Sequence, residues 1–275
     1  MGKSNITPII KWVGGKRQLM DKIKEKMPEK FNNYYEPFIG GGALLFELEP
    51  KSAVINDINS ELVNLYKTVK ENCKEFLDEL KKLDSVDCNK EFYLNVREKY
   101  NKKNADNEHD IELAAIFVWL NKHCFNGLYR VNKKGEFNVP YNNKDGVSNS
   151  VVEENVKAMS EFLQNVKILN GDFEACLKDV KSGDFVFFDS PYAPINPTSF
   201  DDYAKEGFKE EEHRRLAKVF KELSEKGVYC MTTNHNTELI RELYKDYAIE
   251  VVDVKRMVNR NAKERTGVEV IITNY

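Results

Sequence analysis

Hydrophobic residues recur along this chain in two patterns, one typical of helices with a buried face and one typical of buried strands. Apolar residues three to four positions apart predict helices near 19–27, 43–48, 60–83, 91–100, 111–121, 151–163, 174–180, 210–225 and 237–246. Shorter apolar runs predict strands near 34–39, 52–56, 166–169, 185–188, 228–233, 249–254 and 268–273. Because helices and strands alternate after about residue 150, the pattern favours an α/β domain.

The most apolar of these strands ends abruptly in a polar motif. The run 185–188 is Phe-Val-Phe-Phe, typical of a strand buried on both faces, and Asp-Ser-Pro-Tyr follows it. Because Pro191 has no backbone N–H and favours an extended Ser190, the chain is predicted to leave the sheet here. A carboxylate and an aromatic ring then lie at the carboxyl end of a central strand, where open α/β sheets bind ligands. The alternative is that Asp189 caps the next segment and Tyr192 belongs to the core.

A glycine-rich loop follows the first predicted strand. Glycines at 40–42 allow the backbone to approach a ligand closely. Asp57 follows the second strand, 15 residues after Gly42, a position suited to accepting hydrogen bonds from ribose hydroxyls. The alternative is that Asp57 or Asn59 caps the next helix. The spacing is not G-x-G-x-x-G, so a pyrophosphate site is not supported.

Two further segments combine loop residues with positive charge. Gly14-Gly15-Lys16 precedes the first helix and would place backbone N–H groups and an ammonium near an anion. Segment 123–141 interleaves aromatic and basic residues between the turn sequences Asn126-Gly127 and Lys134-Gly135, which predicts a protruding β-hairpin. An ordinary surface loop and an ordinary surface hairpin are the alternatives.

Overall charge does not indicate a nucleic-acid-binding protein, because 42 basic and 45 acidic residues give a net charge of −3. Locally, segments 121–144 and 255–265 each carry five basic residues and one acidic residue, a balance of +4. Solvated surface is the alternative interpretation of both segments.

The cysteines and the apolar runs limit the class of protein. The five cysteines are scattered without a C-x-x-C pair, which favours reduced thiols in an intracellular protein and argues against a zinc site. The apolar runs fall short of the ~20 residues of a membrane span, and the N-terminus lacks the apolar core of a secretory signal. We therefore expect a cytoplasmic protein.

Six motifs in order resemble those of the Dam-type, or D12 class, DNA adenine-N6 methyltransferases. They are Lys-Trp-Val-Gly-Gly-Lys (11–16), Glu-Pro-Phe-Ile-Gly-Gly-Gly (36–42), Asn-Asp-Ile-Asn (56–59), the stretch from Phe-Asn-Gly-Leu-Tyr-Arg to Phe-Asn-Val-Pro-Tyr (125–141), Gly-Asp-Phe (171–173) and Asp-Ser-Pro-Tyr (189–192). The resemblance covers nearly the whole chain. One departure stands out, because the family usually has proline where this chain has Ser190.

The resemblance implies a role for each matching residue. Those expected to bind S-adenosylmethionine are Trp12, Lys16, Phe38, Gly40, Gly42, Asp57, Asp172, Phe173 and Asp189. The expected catalytic residues are Asp189, Ser190, Pro191 and Tyr192. Those expected to contact double-stranded DNA are Lys11, Phe125, Asn126, Leu128, Arg130, Asn138 and Pro140. The resemblance implies no metal, a GATC target and, as a further partner, a cognate restriction endonuclease in a prokaryote or phage.

The resemblance also implies the architecture. We expect a Rossmann-like class I S-adenosylmethionine-dependent methyltransferase with a mixed seven-stranded sheet, its catalytic domain formed by 1–58 and 150–275. Residues 59–149 would form a mostly helical target-recognition insertion with the β-hairpin. The alternatives are a methyltransferase acting on RNA adenine or protein glutamine, a catalytically silent DNA-binding module and, more distantly, a dinucleotide-dependent reductase.

Overall fold

The computed structural model describes residues 6–14, 16, 18–195, 208–255 and 266–275. The helices in these ranges are α1 (Met20–Lys26), α2 (Ala43–Leu48), α3 (Ser60–Glu71), α4 (Cys73–Asp84), α5 (Lys90–Ala105), α6 (Ile111–His123), α7 (Glu153–Leu163), α8 (Glu210–Glu225) and α9 (Glu238–Leu243). The strands are β1 (Tyr34–Glu36), β2 (Ala53–Asp57), β3 (Val166–Asn170), β4 (Phe185–Phe188), β5 (Tyr229–His235), β6 (Ala248–Lys255) and β7 (Thr266–Thr273).

The strands form one mixed sheet of seven, in the order β3-β2-β1-β4-β5-β7-β6. Strand β1 pairs in parallel with β2 on one side and β4 on the other, and β4 pairs in parallel with β5. Strand β7 runs antiparallel to both β5 and β6. The predicted α/β class with a mixed seven-stranded sheet is therefore confirmed. Strand order reverses between β1 and β4, the point at which such sheets bind ligands beyond the carboxyl ends of their strands.

The chain divides into two compact units. The first consists of residues 1–15, 39–51 and 56–172, and the second of residues 16–38, 52–55 and 173–275. The domain bounds implied by the resemblance remain a prediction.

Helix α6 forms the centre of the first unit. It is apolar on all sides and buried along nearly its whole length, and its Trp119 is fully buried. Its thirteen residues are well short of the ~20 that a bilayer requires. Across the described part of the chain, no helix has the length and apolar character needed to span a membrane.

Strand β4 lies at the centre of the second unit. All four of its residues are inaccessible to water, as the unbroken apolar run predicted. The apolar face of α8, which includes Leu216, Phe220 and Leu223, is buried. The neighbouring parallel strands give β4 a fixed direction, so the residue after Phe188 emerges at the carboxyl edge of the sheet.

Several elements differ from their predicted form. The helix predicted over 60–83 is two helices, because the backbone of Asn72 is not helical, with φ −134° and ψ 41°. The helix predicted over 174–180 is a 3-10 turn at Phe173–Leu177. Strand β5 continues past its predicted end to His235. Residues 256–265 of the predicted basic segment lie outside the described residues, as does Gly15 of the first motif.

The predicted β-hairpin at 123–141 lacks continuous strands. It is a loop with a 3-10 turn at Phe125–Gly127 and two isolated antiparallel bridges, Cys124 with Tyr141 and Val131 with Phe137. Helix α5 takes the place of a strand partner: the Asn101 side chain accepts from the Phe137 N–H at 2.8 Å and donates to its carbonyl at 3.1 Å. Since a side chain satisfies these backbone groups, no strand is needed there.

Candidate functional site

The carboxyl end of β4 carries a carboxylate with two partners in the second unit. The Lys16 ammonium lies 2.5 Å from Asp189 Oδ1, and the Thr233 hydroxyl donates to the same oxygen at 3.1 Å. The side chains of Lys16 and Asp189 are 6% and 20% exposed, so the ion pair is largely shielded from water. Burial raises the pKa of Asp189 above its ordinary value, whereas Lys16 and Thr233 act to lower it. A carboxylate held at one oxygen can accept hydrogen bonds from an amino group at the other.

Tyr192 lies beside this ion pair. Its hydroxyl donates to Glu269 Oε2 at 3.1 Å, and the Lys16 ammonium lies 4.5 Å from the centre of its ring. The His235 ring packs against it at 4.8 Å with an interplanar angle of 79°. Burial and the nearby carboxylates raise the pKa of Tyr192 well above its ordinary value, so the phenol stays neutral. Lys16, which the resemblance assigns to the cofactor, contacts both Asp189 and Tyr192.

The backbone between these two residues is enclosed by the protein. Ser190 is 2% exposed, and its hydroxyl donates to the Pro191 carbonyl at 3.4 Å. Strand β4 ends at Phe188, where the sequence motif predicted that the chain leaves the sheet. The motif 189–192 therefore lies at the carboxyl edge of a central strand.

An aromatic stack forms elsewhere in the second unit. Phe38, which follows β1, lies 5.3 Å from Phe173 with an interplanar angle of 30°. The Arg215 guanidinium covers Phe173 at 4.4 Å, and Phe208 packs edge-on against Phe38 at 5.7 Å. The structure thus brings together two of the residues predicted to bind the cofactor. Flat apolar faces of this kind suit a planar ring.

The glycine loop belongs to the first unit, and its backbone could not take side chains. Gly40 has φ +49° and Gly42 has φ +69°. A Cβ on Gly40 would lie 2.9 Å from the Trp12 ring, and one on Gly42 would lie 2.6 Å from the Phe46 ring. The Tyr66 hydroxyl donates to the Gly40 carbonyl at 2.8 Å. The loop is therefore a shaped backbone surface packed against Trp12.

Asp57 holds this loop in place. Its Oδ2 accepts from the Gly40 N–H at 3.0 Å and its Oδ1 from the Asn59 N–H at 2.9 Å. Burial raises the pKa of Asp57, and these backbone N–H groups act to lower it. The helix cap is Asn59, whose side chain accepts from the Leu62 N–H at 2.7 Å. Of the two alternatives for a cap, the structure therefore selects Asn59.

Ile58, between Asp57 and Asn59, is 71% exposed. An apolar side chain in water beside a carboxylate fits a nucleoside, whose base is apolar on its faces and whose ribose carries hydroxyls. These residues therefore suit the adenosine part of S-adenosylmethionine. The sequence analysis missed Ile58, although an isoleucine between two polar turn residues is a usable signal.

The turn after β3 is tied to the tip of β2 within the first unit. The Gly171 N–H donates to the Asp57 carbonyl at 3.1 Å, and the Asn170 side chain donates to the same oxygen at 2.8 Å. The Asn56 side chain donates to the Gly171 carbonyl at 2.9 Å. Asp172 is exposed next to this turn. The structure therefore brings Asp172 near Asp57, as the resemblance implies.

The tip of the 123–141 loop presents apolar residues to solvent. Phe125 is 51% exposed and Leu128 is 37% exposed. The Asn121 side chain bonds both backbone groups of Lys11, at 2.8 and 2.9 Å, and donates to the Gly127 carbonyl at 3.0 Å. This amide brings Lys11, which is distant in sequence, to the loop tip. The sequence analysis did not single out Asn121.

Arg130 lies on the same loop and is held in one orientation. Its Nε donates to Asn138 Oδ1 at 2.7 Å, and one terminal nitrogen donates to the Asn138 carbonyl at 3.3 Å. The exposed Pro140 joins the tip through its carbonyl, which accepts from the Phe125 N–H at 2.8 Å. Asn126, also exposed, has a left-handed backbone with φ +57°. All the residues predicted to contact DNA therefore lie on or against this loop.

Trp12 connects the loop to the glycine-rich segment within the first unit. One of its neighbours is Gly40, and another is Tyr129, whose ring stacks on Trp12 at 5.0 Å and 25°. Tyr129 stands between Leu128 and Arg130 in the sequence. Trp12, which the resemblance assigns to cofactor binding, thus packs directly on the segment assigned to DNA binding.

The chain is similar to DNA methyltransferases over nearly its whole length. A family model for D12 class N6 adenine-specific DNA methyltransferases matches residues 12–258. The type II methyltransferase M1.LlaDCHI of Lactococcus lactis subsp. cremoris is 44% identical over 277 residues, covering 99% of this chain and 97% of the relative. The type II methyltransferase M.MjaIII of Methanocaldococcus jannaschii is 42% identical over 291 residues, covering 98% and 99%. The DNA adenine methylase of Escherichia coli K12 is 31% identical over 268 residues, covering 97% and 94%.

Proposed function

Because this chain belongs to the D12 class of N6 adenine-specific DNA methyltransferases, we propose that it methylates an adenine flipped out of duplex DNA, in the sequence GATC, with S-adenosylmethionine as methyl donor. The match of the 125–141 stretch to the family pattern supports the choice of GATC.

The observation that carries the proposal is the shielded Asp189 carboxylate at the end of β4. The amino group of adenine is a poor nucleophile, because its lone pair is delocalised into the ring. In the proposed mechanism, Asp189 and the Ser190 carbonyl each accept a hydrogen bond from one N6–H. These bonds localise the lone pair as charge develops on the nitrogen, and so stabilise the transition state more than the ground state. Tyr192 stacks on the extruded base and offsets part of the few kcal/mol that unstacking costs.

The residues suited to S-adenosylmethionine have distinct roles in the proposal. The bound cofactor would supply an electrophilic methyl group: the bond from N6 to the methyl carbon forms as the carbon–sulfur bond breaks, the sulfur leaves as a neutral thioether, and N6 loses one proton to solvent. Asp57 accepts hydrogen bonds from the ribose hydroxyls, and Ile58 covers the base. The glycine loop offers its backbone, while Asp172 and Phe173 bind the adenine edge. Trp12, Lys16, Phe38 and Asp189 complete the set that the resemblance assigns.

The loop at 123–141 is the proposed DNA-reading element, within a target-recognition insertion over 59–149. Phe125 and Leu128, both exposed, would enter the duplex at the gap that the adenine leaves. Arg130, oriented by Asn138, would read a guanine edge together with Pro140. Lys11 and Asn126 would contact the adjacent DNA. The type II names of two relatives support a restriction endonuclease of the same sequence specificity as a partner.

Labelled methyl transfer tests the function directly. With tritiated S-adenosylmethionine, the wild-type protein should label a GATC duplex, and digestion should release N6-methyladenine. A duplex already methylated at both adenines and duplexes with one base changed should take up far less label. Label in RNA or on protein glutamine would contradict the proposal. Absence of both label and cofactor binding in a calorimeter would favour a silent DNA-binding module.

Replacing Arg130 with alanine should relax specificity more than it weakens binding. A bidentate arginine–guanine contact discriminates by about 1–3 kcal/mol, so discrimination at one guanine should fall by about one order of magnitude. Competition with duplexes altered at each position in turn measures this. Replacing Lys133, an exposed cation on the same loop, should weaken all sequences alike. The same uniform loss for Arg130→Ala would make Arg130 a phosphate contact instead.

A further inference from the structure

The carboxyl end of β5 carries four polar residues in succession, Thr232 to His235. Thr232, Thr233 and Asn234 are at most 2% exposed. Buried polar groups are costly unless they are hydrogen-bonded, so their partners show what they stabilise. All four side chains bond to one segment of the second unit, residues 188–193.

The bonds reach both ends of that segment. Thr232 donates to the Phe188 carbonyl at 3.0 Å, which joins two neighbouring strands. Thr233 donates to Asp189 Oδ1 at 3.1 Å. At the far end, Asn234 Oδ1 accepts from the Ala193 N–H at 2.8 Å, and His235 Nδ1 lies 2.8 Å from the Ala193 carbonyl.

Thr233 fixes how the Asp189 carboxylate is turned. Among the described residues, the Asp189 carboxylate has a hydrogen bond from Thr233 and an ion pair with Lys16. Both are made at Oδ1. Two donors on one oxygen orient the plane of the carboxylate and leave Oδ2 to accept from an amino group. The Lys16 ammonium supplies charge, but its side chain is flexible. Thr233 is branched at Cβ and belongs to a buried strand, so its hydroxyl is the more rigid of the two partners.

Asn234 and His235 fix Ala193, and with it the shape of the segment between Asp189 and Ala193. A carbonyl oxygen only accepts, so His235 Nδ1 must carry a proton and donate. Asn234 Oδ1 also accepts from the backbone N–H of His235 at 2.9 Å, which fixes the orientation of the Asn234 amide. Ser190 can rotate about φ, which a proline at that position could not do. The shape of this segment therefore depends on hydrogen bonds from β5.

We propose that Thr233, Asn234 and His235 are positioning residues of the methyl transfer: Thr233 turns the Asp189 carboxylate toward the amino group, and Asn234 and His235 hold the backbone that carries Ser190 and Tyr192. This inference rests on the proposed function, because it concerns the geometry of the same reaction. It assigns to β5 a role that the Asp-Ser-Pro-Tyr motif alone does not contain.

Thr233→Val removes the hydroxyl at nearly constant volume. Loss of one hydrogen bond to a charged group should lower kcat by about tenfold, with KM for both substrates little changed and a fall in melting temperature similar to that of Thr232→Val. Thr233→Ser keeps the hydroxyl and should keep most of kcat. Thr232→Val is the matched control, because its hydroxyl bonds a strand carbonyl; it should lower the melting temperature and leave kcat within about twofold.

The pH dependence of kcat/KM distinguishes a misoriented Asp189 carboxylate from a general loss of structure. The Thr233 hydroxyl lowers the pKa of Asp189, so its loss should move the acid limb of kcat/KM to higher pH. Thr232→Val should leave the limb in place. The other ionisable groups near this carboxylate, Lys16, Tyr34 on β1 and Glu269 on β7, are present in both variants. Burial holds the pKa of Tyr192 well above its ordinary value although Thr233 acts to lower it, so the phenol stays neutral in the acid limb.

The second half of the proposal is tested by rescue. His235→Phe keeps an aromatic ring beside Tyr192 but loses the bond to Ala193, and should lower kcat about tenfold. Ser190→Pro should restore most of that loss in the double variant, because a ring at position 190 replaces the missing constraint. Ser190→Pro should not rescue Thr233→Val, because that variant loses the orientation of the Asp189 carboxylate and not the shape of the backbone.

The outcomes distinguish the two levels of the inference. A wild-type protein that does not methylate duplex DNA would overturn the proposed function before any variant is made. An active wild type with equal kcat in Thr233→Val and Thr232→Val would overturn the role of Thr233 alone. Failure of Ser190→Pro to rescue His235→Phe would overturn the role of His235 in holding the segment.

Discussion

Replacing Asp189 with alanine should abolish methyl transfer to duplex DNA, with a loss in kcat on the order of 10³ or more. The carboxylate is the group proposed to accept an N6–H as charge develops on the nitrogen. Alanine offers no acceptor, and water in its place would be neither oriented nor charged. Single-turnover transfer of a tritiated methyl group to a GATC duplex measures the loss, and calorimetric titration shows whether S-adenosylmethionine still binds.

Alanine also leaves the Lys16 ammonium without its carboxylate in a largely buried place, since Lys16 is 6% exposed. Removing one partner of a largely buried ion pair is destabilising, so Asp189→Ala should also lower the melting temperature. Asp189→Asn reduces this cost but does not remove it, because its Oδ1 can still accept from Lys16 and Thr233 although the negative charge is lost. Its NH₂ group takes the place of Oδ2 and would face the N6–H donor of adenine. Asp189→Asn should therefore be more stable than Asp189→Ala and inactive.

Asp184→Asn is the matched control, at the opposite end of the same strand. Asp184 is buried, and both of its oxygens accept from neighbouring groups: Oδ1 from Asn33 at 2.8 and 3.0 Å, Oδ2 from the Lys181 N–H at 2.8 Å. Its substitution should lower stability and leave the kcat of the folded fraction intact. Asp189→Asn with more than about a tenth of wild-type activity would refute the catalytic role, since the lost interaction is expected to matter far more than that.

The sequence predicted the central strand and its polar end because both signals are local. A run of four apolar residues is buried wherever it lies in an α/β sheet, and Pro191 ends a strand without help from its neighbours. The glycine loop and Asp57 were also predictable from local sequence. Adjacent glycines indicate a left-handed backbone, and a carboxylate directly after a strand is visible in a short segment.

The residues that were missed act through distant partners. Thr233 and Asn234 stand at the polar end of β5, and nothing near them in sequence reveals that they bond to Asp189 and Ala193, more than forty residues away. Asn121 is one polar residue at the end of an apolar helix, and its partner Lys11 is 110 residues distant. The 123–141 loop was expected to have strands because its own residues favour them, whereas Asn101 of α5 takes over the backbone groups. Only the tertiary structure makes these pairings visible.

Replacing Asp57 with asparagine should weaken the binding of S-adenosylmethionine by about ten- to a hundredfold, the equivalent of one hydrogen bond to a charged group. Both carboxylate oxygens already accept from backbone donors, Gly40 and Asn59. In asparagine one oxygen becomes an NH₂ group, so one of these N–H groups must face another donor. The glycine loop loses its tether, and the ribose hydroxyls lose a charged acceptor. Calorimetric titration of the variant with S-adenosylmethionine measures the change in Kd.

Asp84→Asn provides the matched comparison within the same unit. Asp84 also accepts at both oxygens, from the Ser150 N–H at 2.8 Å and the Ser150 hydroxyl at 2.6 Å, but it has no assigned role in binding. The two variants should lose similar free energies of unfolding, about 1–2 kcal/mol, because each leaves one backbone or hydroxyl donor without its acceptor. Only Asp57→Asn should raise the Kd for S-adenosylmethionine. If both variants bind it as tightly as the wild type, Asp57 acts only as the acceptor that shapes the loop, and the ribose must be bound by other residues.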